Sequence, residues 1–591
     1  MTDDSEPYVD IYVNDKLVKV PRDLPIGAAL YKAGIYSLEK SMRFNRPRGL
    51  MVFNWRGPEK IYVEGDFEYN PYLFKASDGI KIRIKLSTPL PKSLLKVIDG
   101  YLRVGGYNKW PFNRMWAWNI ALKYVDDILP WNKPKYVKEP IKEYPKSINV
   151  DTDILVVGGG YSGLEAAYNA SKSGLKTTLV EADSLGGHLN IYRHDMYNED
   201  YLNKLLKGLK ENDVHILGNT VFEGFFEDSA FGYKLDTDQL ITFSYKVIIF
   251  ATGSYEVPAL YSYNDLPKTL LASAGLRIYY KHGVKPGENI VIIGSTDKAF
   301  QTAIQLKEDG FKVRVIESFY KGFKYSELRA KALELGIEIY DKVSKITALG
   351  YDRVSGLKIV QEGQVIKLNV DSILHAPYIV PDTELIKMAR SPLTFDIDLG
   401  GYIPIHDING ATLIDNIFIA GSAGGVSTEE IYIRQAALAG LKASEYLGKS
   451  LPSEYDDILN ELNEVVGKTP LYRNALSRLE NAFKKKEGYV YFNGIHPTFY
   501  RESDLRRTFV CFCTDVTLED IKKIVTGMEL RKMEHIKRYS GVGTGRCQGR
   551  RCFLNTLLAA SVFTGLKPTE IGEIRSRPPY IPIPLYVIGG E

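Results

Sequence analysis

Apolar and polar positions along this chain follow different periods in turn. Tyr8-Val-Asp-Ile-Tyr-Val13 and Leu17-Val-Lys-Val20 alternate on either side of Asn14-Asp15, which predicts a β-hairpin. Pro25 to Gly34 then predicts one short helix that ends at its glycine. Residues 1–95 therefore read as a small β-grasp domain. The next stretch, 96–150, sets Trp110, Trp116, Trp118 and Trp131 among prolines without a clear period, and reads as an aromatic-rich connector packed on its neighbours. From Thr152 the pattern becomes strand, turn, helix, strand. Ile154-Leu-Val-Val157 is a continuous apolar run, as in a strand buried on both faces of a parallel sheet. A second such unit starts at Asn289-Ile-Val-Ile-Ile293, and the first resumes near Ile417-Phe-Ile-Ala420. One nucleotide domain (151–258 and 385–450) is thus interrupted by another (259–384). Residues 451–504 read as a charged helical connector, and 505–591 as a final module holding every cysteine.

Composition narrows the classes. A chain of 591 residues holds three or four domains with large cores. Its 76 basic and 72 acidic residues leave a net charge of +4, too balanced for a nucleic-acid footprint. No run approaches the apolar length of a membrane helix, and MTDDSEPYVDIYVND lacks the basic-then-apolar order of a secretion signal. A cytoplasmic protein without transmembrane segments is expected.

The first candidate chemistry is Gly158-Gly-Gly160-Tyr161-Ser162-Gly163, placed between strand and helix. Gly158 permits the tight turn, Gly160 lets the backbone approach a pyrophosphate, and Gly163 lets helix and strand pack closely. The helix N-terminus offers free N–H groups and partial positive charge to the phosphates. The next strand ends at Glu181-Ala182, where the acid can accept from adenosine ribose hydroxyls. Gly186-Gly187, with His188 beside them, and Ala251-Thr252-Gly253 have a flavoprotein character. At Gly421-Ser422 a serine stands where two-dinucleotide flavoproteins usually place an aspartate on the ribityl chain. FAD is the expected ligand, with NAD or ATP as alternatives. In the second unit, Gly294-Ser-Thr296, Thr296 replaces the middle glycine and is expected to crowd a pyrophosphate, while Glu317 would disfavour NADP.

Cys511-Phe-Cys513 and Cys547-Gln-Gly-Arg-Arg-Cys552 are the only cysteines, in two close pairs 33 residues apart. Four thiolates so spaced suit a [2Fe-2S] cluster, zinc being the other metal to weigh. Arg546, Arg550 and Arg551 can offset the cluster's negative charge. With no cysteine before Cys511, disulfide-reductase chemistry at a flavin is excluded. Arg43, Arg46 and Arg48 read as ion-pairing residues, and no nucleophile–base pair stands out.

The order of domains resembles the α subunits of heteromeric sarcosine oxidase, hydrogen cyanide synthase, opine dehydrogenase and archaeal proline dehydrogenase. The likeness rests on Arg43-Phe-Asn-Arg-Pro-Arg-Gly49, Val157 to Gly163, Asn219-Thr-Val-Phe222, Cys511-Phe-Cys-Thr-Asp-Val516, His535-Ile-Lys-Arg538, Gly545 to Arg550 and Arg577-Pro-Pro579. It implies an α/β, glutathione-reductase-like flavoprotein fold with a cluster-less ferredoxin-like N-terminal domain and a BFD-like [2Fe-2S] module. It also implies a hetero-oligomer in which an FAD-containing β subunit oxidises an amino acid or secondary amine. FMN sits at the α/β interface in some members, and small additional subunits occur. This chain would then relay electrons. The competing readings are a self-sufficient NADH-dependent flavin reductase and a scaffold holding structural NAD or ATP.

Overall fold

A computed structural model of the chain describes residues 8–41, 43–63, 67–84, 146–194, 197–226, 229–492 and 503–588; the four connector tryptophans lie outside them. The N-terminal sheet runs Lys16–Pro21, Tyr8–Val13, Lys81–Arg83, Ile61–Val63, Phe67–Tyr69, with Tyr8–Val13 and Lys81–Arg83 parallel. Val9, Ile11 and Val13 are buried while Tyr8 and Tyr12 are exposed, so the period-two pattern is a one-faced strand. Asn14 and Asp15 take the left-handed conformation (φ 48° and 63°) that a two-residue hairpin turn requires. The helix Ile26–Lys32 buries nearly all of itself against this sheet.

The next sheet is wholly parallel, in the order His215–Leu217, Thr177–Val180, Ile154–Val157, Val247–Phe250, Ile417–Ile419. Its three middle strands are buried along their whole length, which explains the unbroken apolar runs of Ile154–Val157 and Val247–Phe250. Ile417–Ile419, more than 160 residues after its neighbour, rejoins the sheet at its edge. Between them lies a second parallel sheet: Thr269–Leu271, Ser372–His375, Asn289–Ser295, Lys312–Lys321, Glu338–Tyr340. The two crossings between the sheets, Ser254–Val257 outward and Tyr378–Pro381 back, pair antiparallel. The helices Glu454–Lys468 and Pro470–Lys485 follow, then a helical module that opens with the short strands Phe509–Cys511 and Val516–Thr517.

The N-terminal arginines fasten the first domain to the last. Arg43 donates its backbone N–H to Asp515 (2.9 Å) and its guanidinium to Asp520 (2.5 Å). Arg46 pairs with Asp265 (2.7 Å), and Arg48 bridges Asp265 (2.5 Å) and Asp515 (2.6 Å). Arg48 and its partners are buried, so each charge depends on the others. Asp515→Ala is expected to cost roughly 3 kcal/mol by leaving Arg48 under-compensated. Amide exchange measured over 505–588 should then speed up by about two orders of magnitude.

Candidate functional site

The strand Ile154–Val157 delivers Gly158 at φ 108°, and the helix Tyr161–Ser171 starts immediately beyond the turn. A Cβ on Gly158 would overlap the carbonyl of Ala251, and one on Gly163 would overlap the carbonyl of Gly158. Gly160 differs: nothing lies within 4 Å of the position a Cβ would take. Its bare face looks into a cleft holding about 1670 Å³ of space, its solvent-facing part included.

One wall of the cleft is Gly158, Gly160, Tyr161 and Ser162; Glu181, Ala182, Gly187 and His188 form another. Ala251, Thr252, Gly253 and Ser422 close it from the adjoining strands. Gly163, Gly186 and Gly421 stand behind these walls. Gly186 (φ 94°) bridges to Gly160, and Gly421 (φ 67°) packs on the Ser162 side chain. Glu181 accepts N–H groups from Gly159 (2.5 Å) and Asp183 (2.6 Å), while burial pushes its carboxyl upward. Burial, with Lys298 nearby, pushes His188 down to about 3, so a neutral ring faces the cleft, edge-on to Tyr192. Burial alone would push Glu429 up, but Lys298 (2.7 Å) and His194 hold it at about 2. A dinucleotide fits this cradle: the open side of Gly160 is where backbone must approach a pyrophosphate.

The cleft continues to a far end where Trp55, Arg56 and Tyr580, which no local sequence pattern marked, meet Arg550, Arg551 and Cys547 of the cysteine motif. Arg56 stacks on Trp55 (4.5 Å) and pairs with the buried Asp382, which also accepts from Tyr580 (2.5 Å). The Nε atoms of Arg550 and Arg551 are buried and have no partner among the described residues.

The four cysteine side chains meet in one ring. Cys511 and Cys547 accept hydrogen bonds from Cys513 and Cys552, which holds the first two thiols low and the second two high. Cys513 and Cys547 sulfurs are 3.9 Å apart, and the Thr514 hydroxyl donates to Cys511 at 3.1 Å. Cys511, Cys547 and Cys552 are buried, and Cys513 is half-buried. As the side chains stand, no group of three or more His, Cys, Asp or Glu among the described residues is arranged to hold a metal ion. The donor set, two close pairs of thiols in a mostly buried ring, is nevertheless of a kind that binds iron or zinc.

The second glycine turn is closed by its own chain, though not by the means its sequence suggests. The hydroxyl of Thr296 points back into the protein, donating to Ala376 O (2.8 Å) and accepting from Ala299 N (3.2 Å) as a helix cap. Its hydroxyl is thereby committed to the protein. The strand Lys312–Lys321 overruns the turn instead, and Ser295 and Ser318 exchange hydrogen bonds. Beyond that strand, Asp297 accepts the N–H groups of Phe323 (3.2 Å) and Lys324 (2.9 Å) at the start of the helix. Glu317 is taken by Tyr325 and Arg329, each at 2.8 Å. Phosphate and ribose positions are both filled from within.

Residues 152–440 match the family model Pyridine nucleotide-disulphide oxidoreductase, and residues 505–591 match Sarcosine oxidase A3 domain. The sarcosine oxidase α chain of Corynebacterium sp. (strain U-96) is 22% identical over 597 residues, covering 96% of this chain and 54% of that one. The chain is similar in sequence to sarcosine oxidase α subunits. It spans about half the length of those subunits, covering 46% of a second one from Corynebacterium sp. (strain P-1). An opine oxidase subunit of Rhizobium meliloti is 23% identical, with 73% of this chain and 86% of that one covered. In fold, the chain is similar to L-proline dehydrogenase from P.horikoshii: TM-score 0.67 at 21% identity, covering 99% of this chain and 98% of that one. Among its described residues, no helix is long and apolar enough to cross a membrane.

Proposed function

We propose that this chain is the electron-relaying α subunit of a heteromeric amino acid or secondary amine dehydrogenase. It would hold FAD in the first cleft and a [2Fe-2S] cluster on Cys511, Cys513, Cys547 and Cys552. One observation carries the reading: a single cleft begins at the Gly158–Gly163 turn and ends at Cys547. A flavin there accepts two electrons and releases them singly, and the cluster takes one at a time. Gly160 would admit the pyrophosphate, Glu181 would meet the ribose, and Ser422 offers a hydroxyl near the ribityl chain. The neutral His188 adds no charge to the cleft. The amine would lose its hydride on a separate FAD-containing β subunit, with FMN at the interface as in some relatives. The electrons would leave to an external acceptor. The substrate class includes sarcosine, proline, hydroxyproline, glycine and opines.

The closed second turn weighs against an NADH-dependent reductase. Glu317 and Asp297 are already partnered, so a nicotinamide dinucleotide would have to displace the chain's own contacts. The cysteine ring at the end of the cleft weighs against a scaffold holding a static nucleotide.

The test is a visible spectrum of the purified chain, with metals and released nucleotide measured on the same sample. Flavin bands over a broad iron–sulfur absorption, with about two irons per chain, are expected. Millimolar NADH should leave that spectrum unbleached. A colourless protein carrying zinc, or NAD or ATP alone, would overturn the relay.

A further inference from the structure

Three arginines flank the second cysteine pair, and the structure gives them separate tasks. Arg546 reaches out to Glu68 on the N-terminal domain, its side chain 39% exposed. Arg550 donates to the Cys547 carbonyl (3.4 Å), pairs with Glu384 (2.7 Å) and lies over the Tyr580 ring (4.2 Å). Arg551 stays with the thiols. Its backbone N–H donates to Cys547, and its guanidinium lies within electrostatic reach of both Cys547 and Cys513.

Arg551 is also fixed in place. Its Nη2 donates to Glu59 Oε1 at 2.5 Å, and the same oxygen accepts the N–H groups of Met51 (3.0 Å) and Val52 (3.3 Å). Those amides help satisfy the carboxylate on the N-terminal domain. Arg551 Nε is buried without a partner among the described residues. Arg551 and Cys547 line the same end of the cleft.

We propose that Arg551 is the electrostatic positioning residue of the relay, a fixed cation between cofactor cleft and cysteine ring that favours the reduced cluster. The inference rests on the relay reading. Reduction adds one electron, drawn from the reduced flavin, and so one negative charge to a largely water-free site. A guanidinium does not deprotonate there, and a nearby fixed cation stabilises the added charge. Glu59 opposes this field, so removing its charge acts in the opposite sense.

The experiment is an EPR-monitored redox titration of the full chain with its cofactors, iron being counted in every sample. Arg551→Gln should lower the reduced-to-oxidised ratio at the wild-type midpoint on the order of tenfold, equivalent to about 59 mV for a one-electron couple. Arg551→Lys should stay near wild type, and Glu59→Gln should move the midpoint to more positive values. A role confined to holding the domains together would move Arg551→Gln and Glu59→Gln in the same direction, or neither. The inference is overturned by Arg551→Gln with full iron and an unchanged midpoint, or by Arg551→Lys shifting as far as Arg551→Gln. Should Arg551→Gln fail to hold iron, Glu59→Gln decides: a positive shift supports the inference, and no shift or a negative one overturns it. A wild-type chain without iron overturns the relay reading, and this inference with it.

Discussion

Cys547→Ser is expected to leave a protein that keeps its flavin bands and has almost no iron. Cys547 is 4% exposed and accepts from both Cys513 and Cys552 in the ring, so its loss removes a corner that nothing nearby can replace. The only histidine in the final module, His535, lies on a different helix and is no substitute for a thiolate. Iron analysis should fall from about two per chain towards zero. Transfer to one-electron acceptors should fall to background, while flavin content holds because Cys547 touches only the far end of the cleft. A variant that loses flavin and iron together would mean that the two centres are not separable.

The second large effect separates two glycines three residues apart. Gly163→Ala puts a methyl into the carbonyl of Gly158, between a strand and a helix that are both buried. Neither can yield cheaply, and a cost above about 3 kcal/mol is expected, seen as poor yield or early thermal unfolding. Gly160→Ala meets nothing in the protein itself. Its fold should survive with a loss near 1 kcal/mol, the ordinary penalty for alanine at a helix N-cap. Its nucleotide affinity should drop roughly a hundredfold, equivalent to about 2.7 kcal/mol, because the methyl projects where a pyrophosphate would lie. Equal retention of nucleotide by Gly160→Ala and wild type would remove the cleft from consideration as the dinucleotide site.

These contrasts also mark what sequence could disclose. The glycine turn, its strand and its acid were legible because each acts on neighbours within about 30 residues, and local chemistry dictates local spacing. The hairpin at Asn14-Asp15 was legible for the same reason. The direction of the Thr296 hydroxyl was not legible, because it depends on what the group can bond, and Ala376 lies 80 residues away. The overrunning strand Lys312–Lys321 hid the true closure, since an apolar run does not announce where the following loop will fold. Trp55, Arg56 and Tyr580 were invisible as site residues. They arrive from opposite ends of the chain and share no period, and only the folded contact between the first and last domains brings them to one cleft. Arg43, Arg46 and Arg48 could be recognised as ion-pairing residues, but their partners could not be named.

The clasp between those arginines and the cysteine loop bears on how the protein is made. Arg48 and Asp515 are 467 residues apart. At synthesis rates of about 5–20 residues per second, the first half of the clasp waits on the order of 25–95 s for the second. Arg46 and Arg48 meet Asp265 partway through that interval, while Arg43 and the rest of the Arg48 bridge wait for the acids of the final module. The cysteine loop reaches its final shape only on a surface assembled long before. Under the relay reading, metal delivery would follow that docking and be sensitive to any delay or misfolding of the N-terminal domain.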